Sequence, residues 1–455
     1  MRPIVPVLVL PLACLACDPP APAPTAPTSS SPSSTSPPPV ASASPTSSAD
    51  PTNSAGTPTP DGPQVSPPGA DALKGLAGSN NSFALELYAK ARTQKGNIAL
   101  SPLSIGTALT MTWGGARGDT AAQMKKVLRL EGSPEQAMDV AGKLLASLKG
   151  PGQKVTLRVA NRLFGEKTYT FEKAYLDRTK AAFGAPLEPL DFKRSAENSR
   201  KHINDWTAKE TQDRIKDLIP AGAVDGETRL VLTNAIYFLG DWMTPFKKES
   251  TAPAAFRATK SEAKDVPTMK QVDQFKFAAT DSVKLLEMPY QGGELAMTLV
   301  LPDAIDGLDA MEQRLTKATL DRWIGALHPE RVSVALPKFE IDPKASLSLG
   351  DTLKALGMPL AFDAAKADFT GIANPPKPED RLYIGKVFHK AFVKLDEKGT
   401  EAAAATAVVM PRGTGAPPSA PPLEFRADHP FLFLLRDIRS GMILFMGRVS
   451  DPAAK

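Results

Sequence analysis

Histidine and cysteine side chains offer the most direct route to chemistry, and this chain has few of either. The 455 residues include four histidines, and their spacings are unlike those of metal ligands: His202, His328, His389 and His429. There is no Gly-Xaa-Ser-Xaa-Gly or His-Glu-Xaa-Xaa-His motif and no phosphate-binding loop. The sequence therefore predicts a protein that is not an enzyme and that needs neither a metal nor a cofactor.

A second set of polar residues is notable for its apolar surroundings. Asn234 lies inside the apolar run 230–242, where a buried amide needs a hydrogen-bond partner, and His389 is the natural candidate. Ser101 before Pro102 is typical of a helix start, and Ser104 follows one turn later. Taken singly, His389 is a satisfied strand histidine and Ser101 an ordinary helix cap.

The segment 397–413, EKGTEAAAATAVVMPRG, allows two structural interpretations. Four consecutive alanines favour a helix. Alternation favours a strand, with Glu401 on one face and small or apolar side chains on the other: Thr400, Ala402, Ala404, Thr406, Val408 and Met410. The flanks favour the strand, because 382–395, 431–435 and 442–445 are themselves strand-like. We therefore predict a segment that is exposed but able to enter a sheet.

The elements that must position these residues mix helical and strand patterns, without an internal linker, from about residue 71 to the end. Strands are predicted at 230–242 and 331–341, and a hairpin joins 283–290 to 294–301. Helices are predicted at 81–91 and from Ile203 to Ile219, ending before Pro220. This mixture predicts a single α+β domain spanning residues 71–455.

The first 70 residues differ sharply in composition from the rest. Residues 1–17 are typical of a signal peptide, and Leu15-Ala16-Cys17 resembles a bacterial lipoprotein processing site with Cys17 as the lipid attachment. Plain secretion is the alternative. Residues 18–70, rich in Pro, Ser, Thr and Ala, are predicted to form a disordered linker. We accordingly expect an exported protein, either anchored to a membrane in the cell envelope or secreted.

Several motifs together resemble those of the serpin family. They are Leu230-Val-Leu-Thr-Asn-Ala-Ile-Tyr-Phe-Leu-Gly-Asp-Trp242, Phe425-Arg-Ala-Asp-His-Pro-Phe431 and Phe445-Met-Gly447-Arg-Val, and the resemblance spans nearly all of 71–455. It implies an α+β serpin domain with a large central β-sheet, further sheets, about nine helices and an exposed reactive-centre loop. It also implies that 155–164 is a strand of the central sheet and that the helix containing Trp206 lies across this sheet.

The resemblance assigns roles to the polar and small residues. Segment 397–413 becomes the reactive-centre loop, whose insertion hinge comprises Glu397, Gly399, Thr400, Glu401, Ala402, Ala403, Ala404 and Ala405. Ser101, Ser104, Asn234 and His389 match the polar cluster called the shutter, and Trp242 matches the point where the loop enters the sheet. The scissile bond is predicted at Arg412-Gly413. The common family spacing would instead cut after Gly413, and an elastase-like enzyme could cut after Val409.

The implied partner is a serine protease, held in a covalent complex by a monomeric inhibitor. A trypsin-like target is favoured, with elastase-like or cysteine proteases as alternatives. A non-inhibitory binding protein of the same fold, or a hydrolase with an unrecognised site, are the competing interpretations. Nucleic acid is not an expected partner, because the net charge is only +5 and no aromatic residues interleave the basic clusters.

Overall fold

Nine α-helices occur in the part of the chain that the computed structural model describes, residues 69–149, 154–400 and 420–454. In chain order they are α1 (Ala70–Ala91), α2 (Pro102–Trp113), α3 (Gly118–Leu128), α4 (Pro134–Lys149), α5 (Lys173–Phe183), α6 (Phe192–Glu210), α7 (Leu308–Gln313), α8 (Lys317–Gly325) and α9 (Gly350–Leu356). These residues belong to one compact unit, 63–455. No helix among them is both long and apolar enough to cross a membrane.

The strands, also in chain order, are β1 (Ile98–Leu100), β2 (Val155–Glu166), β3 (Leu187–Leu190), β4 (Leu230–Asp241), β5 (Ala252–Arg257), β6 (Ala263–Thr280), β7 (Val283–Pro289), β8 (Leu295–Pro302), β9 (His328–Pro337), β10 (Phe339–Ile341), β11 (Leu347–Ser348), β12 (Phe388–His389), β13 (Val393–Leu395), β14 (Gly399–Thr400), β15 (Leu423–Arg426), β16 (Phe431–Asp437) and β17 (Ile443–Val449). The strand predicted at 155–164 is confirmed by β2, and the hairpin of 283–290 and 294–301 by β7 and β8. The strand predicted at 331–341 is two strands, because β9 and β10 belong to different sheets.

Six of these strands form the central sheet, in the order β10-β13-β14-β4-β2-β3. The longest strand pair in this sheet is the antiparallel pair of β4 and β2, which runs from Val155 opposite Gly240 to Gly165 opposite Leu230. Only β3 is parallel to its neighbour, β2. The short strand β14 lies between β13 and β4.

A second sheet of nine strands supplies much of the hydrophobic core. Its order is β1-β17-β16-β8-β7-β6-β9-β15, with β5 added beside β6. Every residue of β8, β16 and β17 is buried, as expected for strands covered on both faces. A third sheet consists of β11 and β12. The α+β architecture with a large central sheet and further sheets is confirmed.

The predicted helix from Ile203 to Ile219 is wrong in its second half. α6 ends at Glu210, and the chain then turns through Gln212 and Asp213, both with positive φ. Ile219 is buried without helical hydrogen bonds, because the side-chain amide of Asn204 donates to its carbonyl and accepts from its amide, each at 2.9 Å. An apolar pattern alone could not distinguish this arrangement from a continued helix.

The predicted single strand at 382–395 is also wrong. Residues 382–387 are not in a strand, and the backbone of this stretch bonds elsewhere: Ile384 donates to Ala361, and Val387 accepts from Leu349. Farther along, β12 pairs with β11, whereas β13 pairs with β10 in the central sheet. The sequence pattern could not show that the hydrogen-bond partners of the chain change along this stretch.

Candidate functional site: the hinge at the end of the central sheet

β14 places two of the predicted hinge residues between two strands of the central sheet. Thr400 is opposite Leu395 of β13 on one side and Gly240 of β4 on the other, and Gly399 is opposite Asp241. In the described part of the chain, β4 pairs with β2 on one edge and only with β14 on the other. The start of 397–413 therefore occupies the end of a gap between β13 and β4.

Glycine is required on both strands where they meet. A Cβ atom on Gly399 would collide with the carbonyl oxygen of Gly240. A Cβ atom on Gly240 would lie 2.7 Å from the Phe238 ring and 2.9 Å from the Tyr290 ring. The sequence analysis placed Gly399 in the hinge, and the structure adds that the close approach of two backbones excludes any side chain there.

Trp242 and Tyr290 hold the hinge from one side. The two rings stack with centroids 4.5 Å apart, and both are fully buried. Trp242 donates its indole N–H to the carbonyl of Asp396 at 3.1 Å and its backbone N–H to the carbonyl of Lys398 at 2.6 Å. The hydroxyl groups of Tyr290 and Thr400 share a buried hydrogen bond of 2.6 Å. Thr400 is thus inserted, with only 3% of its surface exposed.

Glu397 is held in place by a separate set of contacts. Its carboxylate accepts from Thr251 Oγ1 at 2.9 Å and pairs with Lys338 Nζ at 2.9 Å, and its carbonyl accepts from the amide of Phe246. Burial by itself would raise the pKa of Glu397, but the bonds from Lys338 and Thr251 outweigh burial and lower that pKa. The carboxylate is therefore charged at neutral pH, when it can keep both partners.

The serine and histidine of the predicted shutter do meet. Ser101 caps α2, donates its hydroxyl to the Leu444 carbonyl at 2.8 Å and accepts from the amide of Ser104 at 3.2 Å. The backbone N–H of Ser101 donates to His389 Nε2 at 3.0 Å. Burial lowers the pKa of His389 to about 4, so the ring is neutral, as an Nε2 acceptor requires. His389 thus connects strand β12 to the start of α2 through a hydrogen bond.

Helix α6 packs on the central sheet, against strands β2 and β4. Phe164 of β2 packs edge-on against Trp206 with ring centroids 5.5 Å apart, and the Arg162 guanidinium lies 4.8 Å from the Trp206 ring. Ile203 of α6 joins Ala235 of β4 and Phe164 in one buried apolar cluster. α6 therefore lies against β2 and β4, as the family resemblance implies for this helix.

Some of the predicted site residues lie outside the described residues: Cys17, Glu401, Ala402, Ala403, Ala404, Ala405, Arg412 and Gly413. The side chain of Asn234 is likewise outside them, although its backbone is paired opposite Asn161 in the central sheet. The roles assigned to these residues remain predictions. Within the described ranges there is no group of three or more side chains suited to bind a metal ion.

Three residues that contact the hinge were not predicted from the sequence: Thr251, Tyr290 and Lys338. Each is distant in sequence from Glu397 and Thr400 and belongs to an otherwise ordinary strand or turn. Tyr290 carried the only usable signal, a phenol directly after the apolar strand β7, which needs a partner for its hydroxyl when buried. No spacing in the sequence indicates that this partner is Thr400.

The central sheet has a gap beside β4, and the hinge is already paired at the end of that gap. Helix α6 packs against β2 and β4. This arrangement is that of a fold into which a further strand can insert. A family model described as Serpin (serine protease inhibitor) matches residues 78–452. The chain belongs to the serpin family, which this model describes as serine protease inhibitors.

Individual relatives are similar over the same region. Leukocyte elastase inhibitor A of Rattus norvegicus is 40% identical over 390 residues, which covers 84% of this chain and 100% of the relative. Leukocyte elastase inhibitor of Homo sapiens is 39% identical over 393 residues, with the same coverage. A solved structure, Serpin48 from the insect Tenebrio molitor, superimposes with a TM-score of 0.73 at 32% identity, covering 83% of this chain and 98% of that one.

Proposed function

We propose that this serpin inhibits a trypsin-like serine protease by acting as a suicide substrate. The observation that carries the proposal is β14, which already pairs with β13 and β4 at the end of the gap between them. A strand that continues from Thr400 would extend along the unpaired edge of β4. The side chains of Ala402 to Ala405, which follow Thr400, are small and uncharged, so a sheet could take them in without burying a charge.

The chemistry uses the catalytic serine of the protease. Its hydroxyl oxygen attacks the carbonyl carbon of Arg412, an ester to Arg412 forms, and the bond to Gly413 breaks as the new amine takes up a proton. The freed segment then inserts between β13 and β4. Insertion of about 16 residues at roughly 3.3 Å each displaces the attached protease by about 50 Å before water can hydrolyse the ester.

Arg412 is preferred as the scissile residue because it is the only basic residue between Lys398 and Arg426. Trypsin-like enzymes place such a side chain against a carboxylate in their specificity pocket. The named relatives inhibit leukocyte elastase. That favours cleavage after Val409 as the second candidate, with the same insertion mechanism and a different target.

The test is to mix residues 71–455 with a slight deficit of trypsin and to look for a complex that survives denaturing electrophoresis. The proposal expects such a complex and a released peptide that begins at Gly413. Arg412→Ala, which leaves the hinge intact, should abolish the trypsin complex. A complex with elastase alone would move the scissile bond towards Val409. Complete cleavage without any complex would instead make the protein a non-inhibitory member of its family.

We further propose that the protein is a monomeric lipoprotein of the cell envelope, attached to the membrane through Cys17 and a linker of residues 18–70. The proposal rests on Leu15-Ala16-Cys17 and on the composition of the linker. Metabolic labelling with palmitate should label the wild type and not Cys17→Ala. Equal labelling of both proteins would exclude Cys17, and labelling of neither would indicate plain secretion.

A further inference from the structure

A cavity of about 260 Å³ lies away from the hinge, on the nine-stranded sheet. Its walls come from β5, β6 and β9 and from the chain at and just after β15. Phe256 and several alanines, including Ala335, provide apolar surface. Charged side chains share the lining: Arg257, Lys270, Arg426 and Asp428. None of these residues contributes to the hinge.

The strand register explains why there is a hollow. Lys270 of β6 is opposite Ala335 of β9, and Ala335 is opposite Arg426 of β15. These three residues share one face of the sheet, so two long cationic side chains flank a methyl group at roughly 5 Å per strand. The small central residue leaves room between the two cations.

The charges of the lining are unevenly satisfied. Three cations and one carboxylate give a net charge of +2. Asp428 already has two partners, Arg257 NH2 at 2.5 Å from one oxygen and His429 Nδ1 at 2.7 Å from the other. Within the described residues, the Arg426 guanidinium bonds only to Glu424, two residues away on β15, through Nε at 3.2 Å and Nη2 at 2.8 Å. Lys270 has no ion-pair or hydrogen-bond partner within the described residues, and it is exposed.

We propose that this cavity binds a small phosphate ester. An ammonium group and a planar guanidinium group on either side of a hollow suit a doubly charged oxyanion, which the guanidinium can bind through two N–H groups. The alanines and Phe256 would contact the organic part of the ester. At about 30 Å³ per water molecule, the cavity has room for roughly nine waters, enough for a phosphate with a small substituent.

The test uses phenyl phosphate as the probe, with inorganic phosphate for comparison, and measures dissociation constants by titration calorimetry on the inhibitor with its loop intact. Lys270→Ala and Arg426→Ala should each weaken binding of phenyl phosphate by about tenfold. Ala335→Leu keeps every charge and fills the hollow, and it should weaken binding by at least about tenfold as well. Inorganic phosphate should bind about tenfold more weakly than the ester.

Lys143→Ala is the matched control, since it removes an exposed lysine from α4, outside the cavity. It should leave binding unchanged, and the unfolding midpoint of each variant without ligand shows whether the fold is retained. The proposal is overturned if phenyl phosphate does not bind at millimolar concentration. It is also overturned if the ester binds no better than inorganic phosphate, or if Ala335→Leu binds as the wild type does. None of these outcomes bears on protease inhibition.

Discussion

At the scale of single residues, two contacts between buried polar groups stand out. The hydroxyl groups of Tyr290 and Thr400 meet at the hinge, and the imidazole of His389 meets the backbone of Ser101. Thr400 and Tyr290 satisfy each other, so neither hydroxyl is left without a partner inside the sheet. His389 accepts from the Ser101 amide and is neutral because it is buried. Both pairs join segments more than 100 residues apart, so their loss should be visible in stability and not only in inhibition.

We expect Tyr290→Phe and Thr400→Val each to destabilise the native state by about 1 kcal/mol. Each substitution removes one hydroxyl group and leaves the other hydroxyl buried without its partner. The double variant should lose less than the sum, with a coupling energy of about 1 kcal/mol. Urea unfolding of the four proteins measures the cycle. Strictly additive losses would show that the Tyr290–Thr400 hydrogen bond contributes nothing.

The pH dependence of stability should report His389. Its pKa is lowered to about 4 in the native state, whereas an unfolded histidine titrates near ~6.5. The unfolded chain therefore binds the proton first as the pH falls. Stability from this group is fully present above about pH 6.5 and is lost progressively down to about pH 4, in total on the order of 3 kcal/mol.

The measurement is urea unfolding between pH 4 and pH 7.5 for the wild type, His389→Gln and His328→Gln. Removing His389 should flatten the pH dependence by about the amount stated above. His328→Gln, which removes an exposed histidine of β9, is the comparison variant. If His389→Gln and the wild type have parallel curves, His389 is not the titrating group.

At the scale of elements, β14 is the strand that pairs with β4 beside the gap, as far as the described residues extend, to Thr400. Gly240 and Gly399 allow the two backbones to approach, and the Trp242–Tyr290 stack covers the end of the gap. The start of the loop is therefore sensitive to any bulky or charged group.

Thr400→Arg should convert the inhibitor into a substrate. A buried arginine without a partner is strongly unfavourable, so the variant would hold the hinge out of the position that Thr400 occupies between β13 and β4. Insertion of the rest of the loop would then start later, and the ester would be hydrolysed first. The readout is the ratio of cleaved protein to covalent complex after mixing with the target protease. Thr93→Arg places the same charge at an exposed position and should inhibit normally. Unchanged inhibition by Thr400→Arg would refute the insertion mechanism.

At the scale of the whole molecule, the native state is proposed to be a kinetic trap in which one strand of the central sheet is largely missing. Insertion of the loop would add backbone hydrogen bonds to both β4 and β13 in a single step. α6 packs against β2 and β4 through Phe164, Trp206 and Ile203, so it must yield transiently while the new strand enters.

Cleavage within the loop should consequently stabilise the protein. We expect the thermal unfolding midpoint to rise by at least about 10 °C after cleavage, because each inserted residue gains strand hydrogen bonds and burial. Differential scanning calorimetry before and after limited proteolysis tests this. Thr400→Arg should gain much less on cleavage, and a wild type that gains nothing would argue that the loop does not insert.

Local patterns determined much of this molecule from sequence alone. An apolar run identified β4, alternation identified β9, and a turn between two strand-like runs identified the hairpin of β7 and β8. The Ser101-Pro102 pair identified the start of α2, because capping acts between near neighbours. The family motifs predicted that 397–413 is the reactive-centre loop, with Glu397, Gly399 and Thr400 in its hinge and Trp242 where the loop enters the sheet.

Only the tertiary structure decided which partners these residues have. Ile219 looked helical but is bonded by the side chain of Asn204, and the strand predicted at 382–395 changes partners along its length. Thr251, Tyr290 and Lys338 reach the hinge from strands and turns far away in sequence. An apolar or alternating pattern specifies which face is buried. The identity of the opposing group depends on long-range chain packing, which no local spacing encodes.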